Sequence, residues 1–235
     1  RYVFEGFMAR DEYNTDHITR SQELRRIGAV STGITHGIAT APSIYPHNRY
    51  LDYDILYLFG KHQHTLYKNT WPKTMNAKPV GAFSLTRNQL ERIGDQKTKD
   101  IIIFANQMTD PVEHMHIVAD IAHAFMDRQV MIKLKYLSEN VGSKLYDQYL
   151  RELGHLPENA KIIYPGMAYE HMLSAGYSFS GLSTTVAETL QMGSVSFFID
   201  VYPIEKDVVF RNFPDLCVHS SKEAIDRVRS IENGT

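Results

Sequence analysis

The sequence predicts an α/β protein of two lobes, each a parallel sheet with helices on both faces, the first lobe short. Two observations predict it. From Asp100 onward, apolar runs of strand length alternate several times with segments of helical periodicity, and such a succession forces parallel pairing through helical crossovers. Before Asn88 the same alternation recurs in sparser form. Composition agrees, since 235 residues at 43% hydrophobic and 22% charged suffice for one large or two small cores. A disordered tail or a disulfide-stapled miniprotein is excluded.

Taken in order, the first lobe offers a helix around His17 to Ile27, a strand at Ala29 to Thr35 running into His36 and Gly37, a strand at Ile55 to Phe59 and a helix from His62 to Lys68. Asn88 to Lys99 is polar and turn-rich and reads as a hinge, giving lobes at 1–87 and 100–235. In the second lobe, Asp100 to Gln107 is a strand covered on both faces, because four apolar residues run together. Pro111 to Gln129 is a helix, with Pro111 near its first turn and Val112, Met115, Val118, Ala119, Ala122, Phe125 and Met126 on one face. Further strands are expected at Val130 to Tyr136, Ala160 to Tyr164, Tyr177 to Gly181, Ser194 to Asp200 and Leu216 to His219. Helices are expected at Lys144 to Leu153, Ala168 to Ala175, Ser183 to Met192 and Ser221 to Ile231, the last capped by Ser220 or Ser221 and ended by Gly234. A ligand would sit at the carboxyl ends of the strands.

Charge narrows the function. With 25 Lys+Arg against 27 Asp+Glu the net charge is -2, so no overall positive field exists to hold a phosphodiester backbone, and nucleic acid is not the expected partner. The single Cys217 cannot form an internal disulfide and fits a reducing, cytoplasmic setting. No apolar run approaches the roughly 20 residues of a membrane span, and Arg1 to Arg10 lack a signal-peptide layout. Peripheral attachment to a membrane and membership of a longer chain stay open.

The segment Ser183, Thr184, Thr185, with Glu188 following and Gly193 leading into an apolar strand that ends in Asp200, resembles the donor-binding segment of glycosyltransferases of the GT-B fold. The resemblance covers roughly Asp100 to Ile231, and Ile34-Thr35-His36-Gly37 resembles the QHG element of capsule and teichoic-acid polymer synthases, with Thr35 in place of the Gln. It implies two Rossmann-like lobes, an acceptor side at 1–87 and a nucleotide-sugar side at 100–235. It also implies transfer of a sugar from a nucleotide-diphosphate sugar, UDP by family frequency, to a glycan hydroxyl in surface-polysaccharide synthesis. In that family the base rests on backbone after the third strand, here Tyr164-Pro165-Gly166-Met167.

The residues themselves allow the same chemistry. No GxxxxGK[ST] loop is present, so a diphosphate has to be held otherwise. Ser183, Thr184 and Thr185 would present hydroxyls and the amino end of a helix to it. Glu188, one turn beyond Thr184, could accept from the hydroxyls of a ribose. Asn106 and Gln107 close the first strand of the second lobe, and Lys133 and Lys135 share a face of the next; amides and cations there suit phosphate or sugar. For the acceptor, His36 is the favoured base, ending a strand before a Gly and having an ordinary pKa near 6.5. Asp16 with His17, and Asp11 with Glu12, are the alternatives. Leaving-group stabilisation is expected from the helix start and a Lys, with no metal or other cofactor.

Competing patterns are weaker. Asp52-Tyr53-Asp54 spells a DxD metal motif but precedes its strand instead of following it. His116, Asp120 and His123 fall on one helix face beside Glu113 and Asp127, which reads as a solvated face. His62 and His64 would share a face only in a strand. The aromatics Tyr45, Tyr50, Tyr53, Tyr57, Phe59, Tyr67 and Trp71 could stack on a sugar or fill a core. A nucleotide-sugar epimerase of the same fold and a non-catalytic binding module remain the alternative functions.

Overall fold

The computed structural model describes residues 5–10, 14–37, 50–69, 71, 75–81, 85–93, 97–105, 111–134, 151, 154, 156–163, 168–201 and 208–235. The chain forms two compact units, residues 1–85 with 205–209 and residues 86–204 with 210–235.

The first unit holds β1 (Gly6–Arg10), α1 (Thr15–Arg26), β2 (Val30–Ile34), β3 (Ile55–Leu58), α2 (Lys61–Tyr67) and β4 (Asn76–Pro79) in a four-stranded parallel sheet of order β1-β2-β3-β4. Asn14 caps α1 by accepting from the Asp16 amide at 3.0 Å. Each strand steps to the same side of its predecessor, and right-handed crossovers then fall on one face. The register reflects this. Ala9, Ser31, Gly33, Leu56 and Leu58 point into the core, while Met8 (63% exposed) and Val30 (50%) lie on the opposite face. Gly33 is required, because a Cβ there would stand 2.9 Å from both Leu56 Cδ1 and the Tyr53 ring.

The second unit holds α3 (Arg87–Glu91), β5 (Ile101–Ala105), α4 (Pro111–Ala124), β6 (Val130–Leu134), β7 (Ala160–Ile162), α5 (Ala168–Ser174), β8 (Tyr177–Ser180), α6 (Thr185–Gln191), β9 (Val195–Ile199), β10 (Cys217–Val218) and α7 (Ser221–Glu232). Its six strands are all parallel, in the order β10-β9-β8-β5-β6-β7. Winding runs one way from β5 to β7 and the other way from β8 to β10, so the sheet reverses between β5 and β8. Ile101, Ile103, Val118, Ile121, Phe179, Phe197 and Val228 form part of one buried core. The helix expected to reach Gln129 stops at Ala124, leaving Met126 57% exposed; the turn beyond it is held by buried Asn159, whose Nδ2 lies 3.0 Å from the carbonyl oxygens of Ala122 and Phe125 and 3.1 Å from that of Arg128.

Three elements escape the sequence reading: β1, β4 and α3. The β4 strand reads Asn-Ala-Lys-Pro and is an edge strand, with neither alternation nor β-branched residues to betray it. In the segment read as a hinge, Arg87–Glu91 is helical, and Thr98 N donates to Ser174 O at 2.9 Å within the second unit. Gly176 is there because a Cβ would meet Thr98 O at 2.3 Å. The expected helix at Lys144 to Leu153 lies outside the described residues apart from Arg151.

Candidate functional site

Where the second sheet reverses its winding, the ends of neighbouring strands diverge and leave a crevice at their carboxyl edge. A cleft of about 230 Å³ opens there. Phe104 and Ala105 come from the end of β5, Lys133 from β6 and Ser180 from the end of β8, with Ser183, Thr185 and Glu188 from the turn and first part of α6. Tyr169 and Met172 of α5 supply the apolar side.

The turn is held by its own side chains. Ser180 Oγ and Thr185 Oγ1 stand 2.8 Å apart, and Thr185 N donates to Ser183 Oγ at 3.3 Å. The helix starts at Thr185, two residues after the expected start, with Thr184 as its N-cap. Val186 N is also engaged, with Ser183 O at 3.4 Å. With its first three amides satisfied locally, Ala187 N by Thr184 O at 3.0 Å, and only seven residues in length, α6 contributes little to binding an anion by its amino end alone. Lys133 lines the same cleft, and its partial burial pushes its pKa below the ordinary ammonium value. An anion beside it would restore the charge. Glu188 is half-buried on the same cleft, where a carboxylate accepts from ligand hydroxyls.

Of the residues singled out in the sequence, the structure brings Lys133, Ser183, Thr185 and Glu188 to this one cleft, with Thr184 at the cap beside them. Asn106, Gln107, Lys135, Tyr164 and Gly166, like Asp11 and Glu12, lie outside the described residues. The acceptor-side candidates belong to the first unit. His36 is exposed after β2, Asp16 sits in the first turn of α1, and the His17 ring packs edge-on against Phe7 at 6.1 Å. Tyr169, Met172 and Ser180 were not anticipated. Ser180 could have been found as the last residue of a strand leading into the Ser183 turn; Tyr169 and Met172 carry no such signal.

The competing patterns resolve into structure. Asp52 and Asp54 both pair with Arg25 of α1. Burial would raise the Asp54 pKa, but bonds from Ser31 N at 2.7 Å and Ser31 Oγ at 2.9 Å, with Arg25 nearby, hold it below the usual range. The Asp52-Tyr-Asp54 run thus ties α1 to the sheet. Asp120 accepts from Ser221, and His123 Nδ1 meets Ala119 O at 2.8 Å. Among the described residues no group of three His, Cys, Asp or Glu side chains could hold a metal ion. Tyr53 and Trp71 are buried in the first core, while Tyr50 is 66% exposed. No helix among the described residues is long and apolar enough to cross a membrane.

No protein-family profile and no curated protein sequence matches this chain. Solved structures do. The chain is similar to UDP-N-acetylglucosamine 2-epimerase from Rickettsia bellii, at a TM-score of 0.60 and 9% identity over 97% of this chain and 65% of that one. It is similar to the Anabaena protein HepE in complex with UDP, at a TM-score of 0.52 and 10% identity over 93% and 67%. A third likeness is the glycotransferase of kitacinnamycin, at 0.56 and 10% over 96% and 67%. The chain therefore spans about two thirds of the length of these proteins, and the likeness shows the fold: α/β with parallel sheets, of the GT-B type.

Proposed function

We propose that the chain binds a nucleoside-diphosphate sugar, a UDP-sugar, in the cleft of the second unit and transfers its glycosyl group to a hydroxyl of a glycan. The observation that carries this reading is the convergence of Lys133, Ser183, Thr185 and Glu188 on one cleft at the winding reversal. A cation and two hydroxyls match the diphosphate, and the carboxylate of Glu188 matches the paired hydroxyls of a ribose. The choice of uridine is supported by the UDP held by a protein of this fold.

In the transfer itself, the acceptor oxygen forms a bond to the anomeric carbon as the bond from that carbon to the diphosphate breaks, and the leaving diphosphate keeps the electron pair. His36, with Asp16 and His17 as alternatives, takes the acceptor proton in this reading. Lys133 and the hydroxyls stabilise the charge that grows on the leaving group, so no metal is required. Surface-polysaccharide synthesis in the cytoplasm is the setting this reading expects.

A second reading is favoured by the likeness to the Rickettsia bellii epimerase: isomerisation of the sugar without an acceptor. Incubating the protein with UDP-sugars separates the two. A product formed only when a glycan acceptor is present supports transfer, whereas an isomerised sugar nucleotide formed from donor alone supports the epimerase. A wild-type chain that does not bind UDP in calorimetry overturns both. The His36→Ala variant should lower turnover far more than donor affinity; equal losses would make His36 a binding residue.

A further inference from the structure

Behind the cleft, three hydroxyls with almost no access to solvent stand in a triangle. Ser178 of β8, Thr189 of α6 and Ser196 of β9 are each at most 1% exposed. Ser178 Oγ lies 2.7 Å from Thr189 Oγ1 and 2.7 Å from Ser196 Oγ, and the last two are 2.8 Å apart. Thr189 Oγ1 also meets the carbonyl oxygen of Thr185 at 2.7 Å.

Three hydroxyls carry three protons, and a carbonyl can only accept. An arrangement that satisfies every donor and ends on the carbonyl follows from the geometry: Ser178 donates to Ser196, Ser196 to Thr189, and Thr189 to Thr185 O. Hydrogen bonds in such a chain polarise one another, and each lost member would strand a buried partner. The residue at the end of the chain matters. Thr185 lines the cleft, and its own Oγ1 and amide are bonded to Ser180 and Ser183. A seven-residue helix is marginal by itself, so the orientation of its first turn has to come from what it is fastened to.

We propose that Thr189 is a positioning residue: through the chain Ser178, Ser196, Thr189 it fastens the first turn of α6 to β8 and β9, so that Ser183 and Thr185 present their hydroxyls to a diphosphate. The inference rests on the nucleotide-binding reading above. Thr189 itself touches no ligand, being fully buried.

The test compares UDP with uridine in wild type, Thr189→Val and Thr189→Ser, with UDP titrated by calorimetry and uridine by ligand-observed NMR. Valine keeps the shape and removes the hydroxyl, and serine restores it. The expected result is that the valine variant binds UDP about tenfold more weakly, with uridine affinity unchanged within about twofold, and that serine recovers most of the loss. The proposal is overturned if UDP binding is unchanged in the valine variant, if UDP and uridine weaken together as in a generally loosened fold, or if serine does not rescue. Ser196→Ala removes the hydroxyl that donates to Thr189 and carries the same expectation should the valine variant not fold. A wild-type protein that binds neither ligand overturns the nucleotide reading and this inference together, and that failure is visible before any variant is made.

Discussion

Ser180 Oγ lies 2.8 Å from Thr185 Oγ1, a bond that joins the last residue of β8 to the first residue of α6. The turn between them, which carries Ser183 and Thr184, is therefore closed at its base by side chains. Hydroxyls fixed before a ligand arrives lose less freedom on binding than hydroxyls on a loose loop. In the reading proposed above, this preorganisation lets a small cleft without a GxxxxGK[ST] loop hold a diphosphate.

If Glu188 holds the ribose, Glu188→Ala weakens UDP binding by about 1–3 kcal/mol, or roughly 5- to 150-fold in Kd. Calorimetry reads this directly. An affinity equal to that of wild type removes Glu188 from the site.

Lys133 makes the site sensitive to alkali. Burial lowers its pKa, so between the lowered value and the unfolded value near 10.4 the folded protein binds fewer protons than the unfolded one, and stability rises with pH across that window. A bound diphosphate favours the charged ammonium and draws the proton back. UDP affinity should then fall with rising pH in the same window. Lys133→Met should bind UDP more weakly at neutral pH and lose that part of the slope. Parallel pH profiles in the two proteins would show that Lys133 faces no phosphate.

His114 provides an acid limit to stability. Burial pushes its pKa down to about 4, against the opposing effect of a bond to the Phe104 backbone. The unfolded chain takes up this proton near pH 6.5, so the stabilisation is complete above that value and is lost as pH falls toward 4, by up to about 3 kcal/mol. Urea unfolding at pH 7, 5.5 and 4 measures the slope, and His114→Leu should flatten it. A variant that retains the full slope places the effect elsewhere.

The turn between α4 and β6 is joined to the end of α7 by an ion pair. Arg128, with its side chain 5% exposed, donates to Glu232 at 2.8 Å and lies 4.6 Å above the Phe125 ring. Glu232→Ala leaves a buried guanidinium with Asp127 as its remaining carboxylate, and should cost about 2–3 kcal/mol in urea unfolding. A loss under about 0.5 kcal/mol would class the pair with exposed surface bridges.

The second unit was legible because a strand buried on both faces has to be apolar throughout. Ile101, Ile102, Ile103 and Phe104 announce β5 without help from their surroundings, and the apolar stripe from Met115 to Phe125 announces α4. Edge elements carry no such demand, which is why β1 and β4 went unread. Asp52 and Asp54 spell a metal motif, but it precedes its strand, and the sequence reading sets it aside on that ground; the two carboxylates anchor Arg25. The start of α6 was placed too early because Ser183 has the chemistry of a cap, whereas the structure makes Thr184 the cap and ties Ser183 to the Thr185 amide.

By itself the sequence determined the parallel α/β class, since the periods of 2 and 3.6 are local properties of the chain, and it marked Lys133, Ser183 and Thr185 as residues able to meet a diphosphate and Glu188 as one able to meet a ribose. Tertiary structure alone decided that β8 lies beside β5. That pairing joins segments more than 70 residues apart, and no local pattern encodes it, because it is set by which apolar faces bury one another best. The reversal it creates opens the crevice, and only there do four scattered side chains become one site.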